Sequence, residues 1–308
     1  MQKIAVLGSG AMGGVYGTKL FSAGYDVTLI DIWKEHVEAI RANGLKVDGL
    51  GEGKFFKAKV TDNPDEIGVV DLLIVLVKAY DTTTAIKSCK NIIGPDTVVV
   101  SLQNGIGNVE KLIDVVGSEH VIGGVTSHGS YVVCAGNICH TGHSYTSIGE
   151  LNGQETPRIK KVAEVLEKSG LAPVVISNDV TKLIWKKLMG NISLNAISAL
   201  CDIRNGQVIE FPETREISRL AVLEAAEVAK AKGITMDYDP VETGWNVIRD
   251  TAPNRSSMLQ DVTVKRETEI EVINGAIVRE GESLGIPTPV NKTLTALIKV
   301  IQQTYNND

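Results

Sequence analysis

No run of about 18 apolar residues occurs in the chain, so nothing in it is expected to span a bilayer. A basic excess is missing too: 31 Lys and Arg stand against 37 Asp and Glu, a formal charge of -6. Nucleic acids and anionic membrane surfaces reward clustered cations, so neither is expected as a partner. The N-terminus lacks the charged-then-apolar design of a signal peptide and enters a strand almost at once, which predicts a cytoplasmic protein. Cysteine is sparse: Cys89, Cys134, Cys139 and Cys201 are irregularly spaced and make no framework for a disulfide-stapled domain. Cys139, His140 and His143 cluster, but zinc sites usually pair ligands as C-x2-C or H-x3-H. Free thiols on a loop or strand edge are the plainer reading, and no metal is expected. Internal repeats and low-complexity tracts are also missing.

What is present suits a globular chain. Of 308 residues 43% are hydrophobic, enough for two cores in about two domains of roughly 150 residues each. Residues 3–7 form a short apolar run closed by glycines, Met12 to Ala23 a helix ended by Gly24, and Val27 to Ile30 a second apolar run. That is one βαβ unit in about 30 residues. Strands over 71–77, 97–102 and 121–124 then alternate with helices over 79–89 and 107–116. Strands apolar on both faces imply a parallel sheet covered on two sides. Beyond residue 177 no strand is expected. Helical periodicity instead covers 178–201, 212–232, 240–250, 258–284 and 289–304, with breakers such as Pro212, Pro253 and Gly285 between. Asn306, Asn307 and Asp308 read as a frayed end.

Gly8-Ser9-Gly10-Ala11-Met12-Gly13 fits G-x-G-x-x-G. The hexapeptide alone is weak evidence; following a strand and opening a helix, it reads as a dinucleotide-binding turn. Gly8 permits the tight turn, Gly10 lets backbone approach a pyrophosphate, and Gly13 lets helix and strand pack closely. Ala11 and Met12 begin the helix whose N-terminus faces the phosphates. Asp31 ends the second strand, where a carboxylate accepts from a ribose 2′-OH and repels a 2′-phosphate, so NADH is favoured over NADPH. An acidic N-cap of the next helix is a compatible second role for Asp31. The expected fold is α/β: an N-terminal Rossmann-type doubly wound parallel sheet over residues 1–176, then an all-α C-terminal domain over residues 177–308. An active site is expected where the halves meet, at the carboxyl ends of the strands.

In the helical half, Lys187, Asn191 and Asn195 recur at i, i+4 and i+8 and form one stripe among Ile184, Leu188, Ile192 and Leu194. Spacing alone leaves a functional stripe and a solvated face equally open. Glu269 shares an apolar stripe with Met258, Val262, Ile273 and Ile277 on the expected 258–284 helix. A carboxylate there is costly unless it is functional or paired with Lys265 or Arg266.

These motifs together resemble the ketopantoate reductase (2-dehydropantoate 2-reductase) family along essentially the whole chain. The resemblance rests on the Gly8–Gly13 turn, Val77-Lys78-Ala79, Gln103-Asn104-Gly105, the Trp185–Asn195 stripe, Asn254-Arg255-Ser256-Ser257-Met258, Thr268-Glu269-Ile270 and Ile273-Asn274-Gly275. It implies an oxidoreductase of pantothenate synthesis, a homodimer that acts on a small 2-keto acid with NAD(P)H. It further implies that Lys187 is the catalytic lysine and Glu269 the active-site acid. Asn191, Asn195 and Ser257 would hold substrate, Asn104 would lie near nicotinamide and substrate, and Lys78 beside the cofactor. Family members commonly carry arginine where this chain has Asp31. The run Ile30-Asp31-Ile32-Trp33 instead resembles NAD-dependent D-2-hydroxyacid (mandelate-type) dehydrogenases that share the fold. That activity is one alternative; a non-catalytic nucleotide sensor is another, against which Lys187 and Glu269 argue, since a sensor needs no proton donor.

Overall fold

The computed structural model describes residues 1–305, so the expected fraying of Asn306, Asn307 and Asp308 lies outside the described residues. The chain divides into two units. The first comprises Met1–Gln103 and Asn108–Val180; the second comprises Asn104–Gly107 and the chain from Thr181 onward.

The first unit holds strands β1 (Lys3–Leu7), β2 (Asp26–Ile30), β3 (Leu45–Gly49), β4 (Lys54–Phe56), β5 (Lys59–Thr61), β6 (Val70–Val75), β7 (Ile93–Ser101), β8 (Val121–Thr126), β9 (Gly129–Cys134), β10 (Asn137–Gly142), β11 (Thr146–Glu150) and β12 (Val174–Ile176). Helices α1 (Ala11–Ser22), α2 (Lys34–Asn43), α3 (Thr82–Ser88), α4 (Asn108–Val116) and α5 (Pro157–Lys168) connect them. Eight strands form one sheet in the order β12-β11-β8-β7-β6-β1-β2-β5. Side-chain alternation explains its double cover. Ile4, Val6, Leu72, Ile74, Val98 and Val100 enter one apolar core, while Ala5, Leu7, Leu73, Val75 and Val99 enter another.

The expectation of a purely parallel sheet is corrected at one edge, where β11 runs antiparallel to β8. A second sheet, β4-β3-β10-β9, was not foreseen. Its strands are short and mostly half-exposed, so no continuous apolar run announces them. The order reverses between β1 and β6, which run parallel. The loops leaving the carboxyl ends of those two strands therefore open at a topological switch point.

The second unit is helical: α6 (Val180–Cys201), α7 (Gln207–Glu210), α8 (Pro212–Ala231), α9 (Pro240–Asp250), α10 (Ser257–Thr263), α11 (Asn274–Leu284) and α12 (Pro289–Thr304). The expected 258–284 helix is broken into α10, a 3-10 turn at Ile270–Val272 and α11. Val262-Thr263-Val264 is β-branched and poor in helix propensity, and Lys265 then takes φ 51°. The Thr268 N–H and hydroxyl both donate to Gln302 Oε1, at 2.8 and 2.6 Å, which fixes the chain outside a helix. Among the described residues no helix is long and apolar enough to cross a membrane, and the four cysteines are free.

Candidate active site

The glycine turn is built from β1 outward. Gly8 adopts φ 92°, and a Cβ on it would lie 2.7 Å from the Val77 nitrogen. A Cβ on Gly13 would fall on the Gly8 carbonyl oxygen. Both glycines are thus required by the protein itself. Gly10 is different, because a Cβ there would meet nothing within 4 Å. That open space leaves room for a ligand whose phosphates approach the backbone. Helix α1 follows without a side-chain cap and without an acid in its first turn, the condition in which a helix N-terminus accepts an anion. These residues fit a nicotinamide dinucleotide.

Asp31 follows β2 directly. Its Oδ2 accepts from the Ser9 N–H at 2.7 Å and the Ser9 hydroxyl at 3.0 Å, and its Oδ1 from the Trp33 N–H at 3.0 Å. Since α2 begins at Lys34 behind Trp33, Asp31 does not cap that helix; it latches the glycine turn. His36 is a second latch. Its Nδ1 accepts from the Gly136 N–H at 2.9 Å, leaving Nε2–H to donate to the Ser9 carbonyl at 3.0 Å. Neither Ser9 nor His36 was marked by the sequence, where only the serine's place inside the motif hinted at a role. Lys78 is half-buried beyond β6, and its carbonyl accepts the Asp81 N–H at 2.9 Å. Gln103 braces this loop by donating to the Val77 carbonyl and the Thr82 hydroxyl.

The second unit brings together Asn104, Lys187, Asn191, Asn195 and Glu269. Helix α6 carries the middle three on one stripe, and Asn195 is only 3% exposed, so the stripe is not a solvated face. The Nδ2 atoms of Asn191 and Asn195 are both buried and make no hydrogen bond. An unsatisfied buried donor costs about 1–3 kcal/mol, and two on one stripe mark a place shaped for an acceptor that is not protein. Glu269 is 7% exposed, stands at the head of the Ile270–Val272 turn rather than on a helix, and accepts from Asn104 Nδ2 at 3.1 Å. Burial of the Lys187 ammonium pulls its pKa down from 10.5 to about 8, and the Glu269 charge partly opposes that fall.

Asn104 is itself fixed. The Ile106 N–H donates to the Val272 carbonyl at 3.1 Å, and Gly105, at φ 80°, lies so close that a Cβ would sit 2.4 Å from that same oxygen. The Asn104–Gly107 segment is therefore strapped onto the turn that Glu269 heads. Ser257 opens α10 and is exposed, and it makes no hydrogen bond to this cluster among the described residues. Its neighbour Ser256 is the buried one: it caps α10 through the Leu259 N–H at 3.1 Å and pairs with Ser198 Oγ of α6 at 2.7 Å. The Ser256-Ser257 pair ahead of Met258-Leu259 was the available signal. Among the described residues no group of three His, Cys, Asp or Glu is arranged to hold a metal ion.

Two family descriptions match the chain: "Ketopantoate reductase PanE/ApbA" over residues 4–153 and "Ketopantoate reductase PanE/ApbA C terminal" over residues 179–302. A 2-dehydropantoate 2-reductase of Archaeoglobus fulgidus is 37% identical over 302 residues, covering 98% of each chain. That of Vibrio cholerae is 32% identical over 304 residues, covering 98% of this chain and 99% of its own. Among solved structures, a ketopantoate reductase from Ralstonia eutropha superposes with a TM-score of 0.90 at 30% identity, covering 99% of both chains. A D-mandelate dehydrogenase bound to NADH and anilino(oxo)acetate reaches 0.93 at 29% identity, again over 99% of both. By sequence and by architecture along its whole length, this chain belongs to the ketopantoate reductase family.

Proposed function

We propose that this chain reduces the 2-keto group of 2-dehydropantoate to give pantoate, using NADH in preference to NADPH, and that it works as a homodimer in the cytoplasm. The observation that carries the reading is Lys187. It is a lysine with a pKa of about 8, on one stripe with two orphaned amide donors and near one buried carboxylate. When bound, the nicotinamide cofactor supplies the hydride. Gly8, Gly10, Ala11, Met12, Gly13, Asp31 and Lys78 would hold that cofactor.

As the C2 carbonyl carbon accepts a hydride, its π electrons move onto oxygen and an alkoxide develops. The Lys187 ammonium faces that charge and gives its proton to the oxygen, leaving a neutral amine. At pH 7 a pKa of about 8 keeps the lysine mostly protonated yet makes it a far stronger acid than a solvated lysine. The Asn191 and Asn195 amides donate to the substrate's carboxylate or carbonyl oxygens without adding charge. Glu269, held by Asn104, accepts from the substrate's hydroxyl, and Ser257, exposed at the start of α10, would offer the substrate a further hydroxyl.

One consequence concerns Glu269. Its charge is what raises the pKa of Lys187 against desolvation, so Glu269→Gln lowers that pKa further. The alkaline limb of kcat/KM for reduction is expected to move to lower pH, together with a loss of substrate affinity. A limb that stays where the native enzyme has it removes Glu269 from the neighbourhood of the proton donor.

A mandelate-type activity is the second reading, favoured by Asp31 and by the likeness to a D-mandelate dehydrogenase bound to NADH. Steady-state kinetics with NADH separate the two. Ketopantoate is expected to exceed the analogue lacking its hydroxyl by about 1–3 kcal/mol of transition-state binding, because that analogue leaves buried polar groups unpaired. A preference for phenylglyoxylate assigns the chain to the second reading.

A further inference from the structure

A cavity of about 510 Å³ opens in the first unit, away from the glycine turn. It touches α1 at Val15, Thr18 and Lys19 rather than at its N-terminus, and neither Gly10, Asp31 nor Lys78 lines it. Its volume lies in the range of small-molecule sites. Val15, Val47, Leu50 and Phe56 give its lining an apolar part. The remainder carries Lys19, Lys54, Lys168 and His140 and no acid at all, although acids outnumber bases by six in the chain.

Three hydroxyls also line the cavity, yet each is spent on its own helix. Thr18 donates to the Gly14 carbonyl at 2.8 Å, Ser22 to the Thr18 carbonyl at 2.7 Å and Ser169 to the Val165 carbonyl at 2.7 Å. The donors left to face a ligand are therefore cationic. Lys54 is neutralised by Glu52 at 2.7 Å. Lys168 lies over the Tyr25 ring, 5.5 Å from its centroid, and is not ion-paired among the described residues. Lys19 is half-buried and makes neither a side-chain hydrogen bond nor an ion pair among the described residues. Its charge is felt nearby: burial pushes His140 below its ordinary value and His128 down to about 4, and Lys19 adds to both shifts. A half-buried ammonium among apolar side chains, in a cavity lined by no carboxylate, is a ready partner for an anion.

We propose that this cavity binds a small amphiphilic anion, with a phosphate or carboxylate head on Lys19 and Lys168 and an apolar tail against Val47, Leu50 and Phe56. The site is separate from that of the nicotinamide cofactor. Organic phosphates and carboxylates share this chemistry, so the test uses both. Isothermal titration of the full chain saturated with NADH is expected to show one site per chain for hexyl phosphate or for heptanoate, and the arm that binds names the head group. Inorganic phosphate, lacking the tail, is expected to bind at least about tenfold more weakly. Lys19→Met and Lys168→Met, which keep the length of the stem, are each expected to weaken binding about tenfold and to leave NADH affinity unchanged. The proposal is overturned if neither amphiphile binds, if NADH displaces them, if inorganic phosphate binds as well as hexyl phosphate, or if both variants bind with native affinity.

Discussion

Replacing Lys187 with alanine is expected to lower kcat for 2-keto acid reduction at least about a hundredfold while NADH affinity stays native. Loss of a positioned general acid typically removes 10²- to 10⁴-fold, about 3–5 kcal/mol at the barrier. The neighbouring Lys186 supplies the control. It is exposed, and its ammonium lies over the Tyr238 ring, 5.3 Å from the centroid, so Lys186→Ala is expected to turn over normally. Inactivity of the Lys187 variant is not expected to reflect unfolding. The native pKa of Lys187 is depressed, to about 8 against 10.5, so the unfolded chain holds that proton more tightly. Native stability is therefore lowered by this group below pH 8 and recovers as pH rises from 8 towards 10.5. Lys187→Met removes the penalty, and its Tm at pH 7 is expected to be no lower than native. Near-normal turnover in Lys187→Ala, or a dead Lys186→Ala, reassigns the proton donor.

The second large effect is cofactor choice. NADH is expected to exceed NADPH at least about tenfold in kcat/KM, because a 2′-phosphate brings a charge of about -1.5 to -2 towards fixed carboxylates. Asp31 is held at the end of β2 by Ser9 and Trp33, so it cannot swing aside. Asp81 is near enough that the Asp31 charge, after desolvation, helps raise its pKa. Two unit charges at about 5 Å and an effective dielectric near 20 interact by about 3 kcal/mol, more than tenfold discrimination requires. Lys34, exposed at the start of α2, offsets part of that. Asp31→Asn keeps an acceptor for the Ser9 N–H and removes only the charge, so it is expected to narrow the preference without abolishing NADH use. Equal kcat/KM for both cofactors in the native protein contradicts this assignment of Asp31.

What the sequence revealed follows from where information is local. The Gly8–Gly13 turn was legible because its three glycines, strand and helix lie within about 30 residues, as did the alternation that buries Ile4 and Ala5 on opposite faces. Asp31 was legible as an acid at a strand end, but its grip on Ser9, 22 residues away, is a tertiary fact. The α6 stripe was visible as a pattern, whereas the orphaned amides of Asn191 and Asn195 that separate a site from a solvated face needed coordinates. Glu269 was picked out as an odd carboxylate on an assumed helix. The helix was wrong, since Lys265 adopts φ 51°, and what places the acid is Asn104, 165 residues away. The small second sheet left no trace in apolar runs, because β4 and β9 sit near the surface and β3 buries only Leu45 and Val47.

The most direct test of the account is the pH dependence of kcat/KM measured in both directions on the native enzyme. Reduction of ketopantoate by NADH is expected to fall, about tenfold per unit, above a pKa near 8, because the Lys187 proton is lost. Oxidation of pantoate by NAD is expected to rise through that same pKa, because the neutral amine then serves as base. Profiles flat across pH 7–9 in both directions, or limbs that persist unchanged in Lys187→Ala, contradict the assignment of Lys187 as the group that moves the proton.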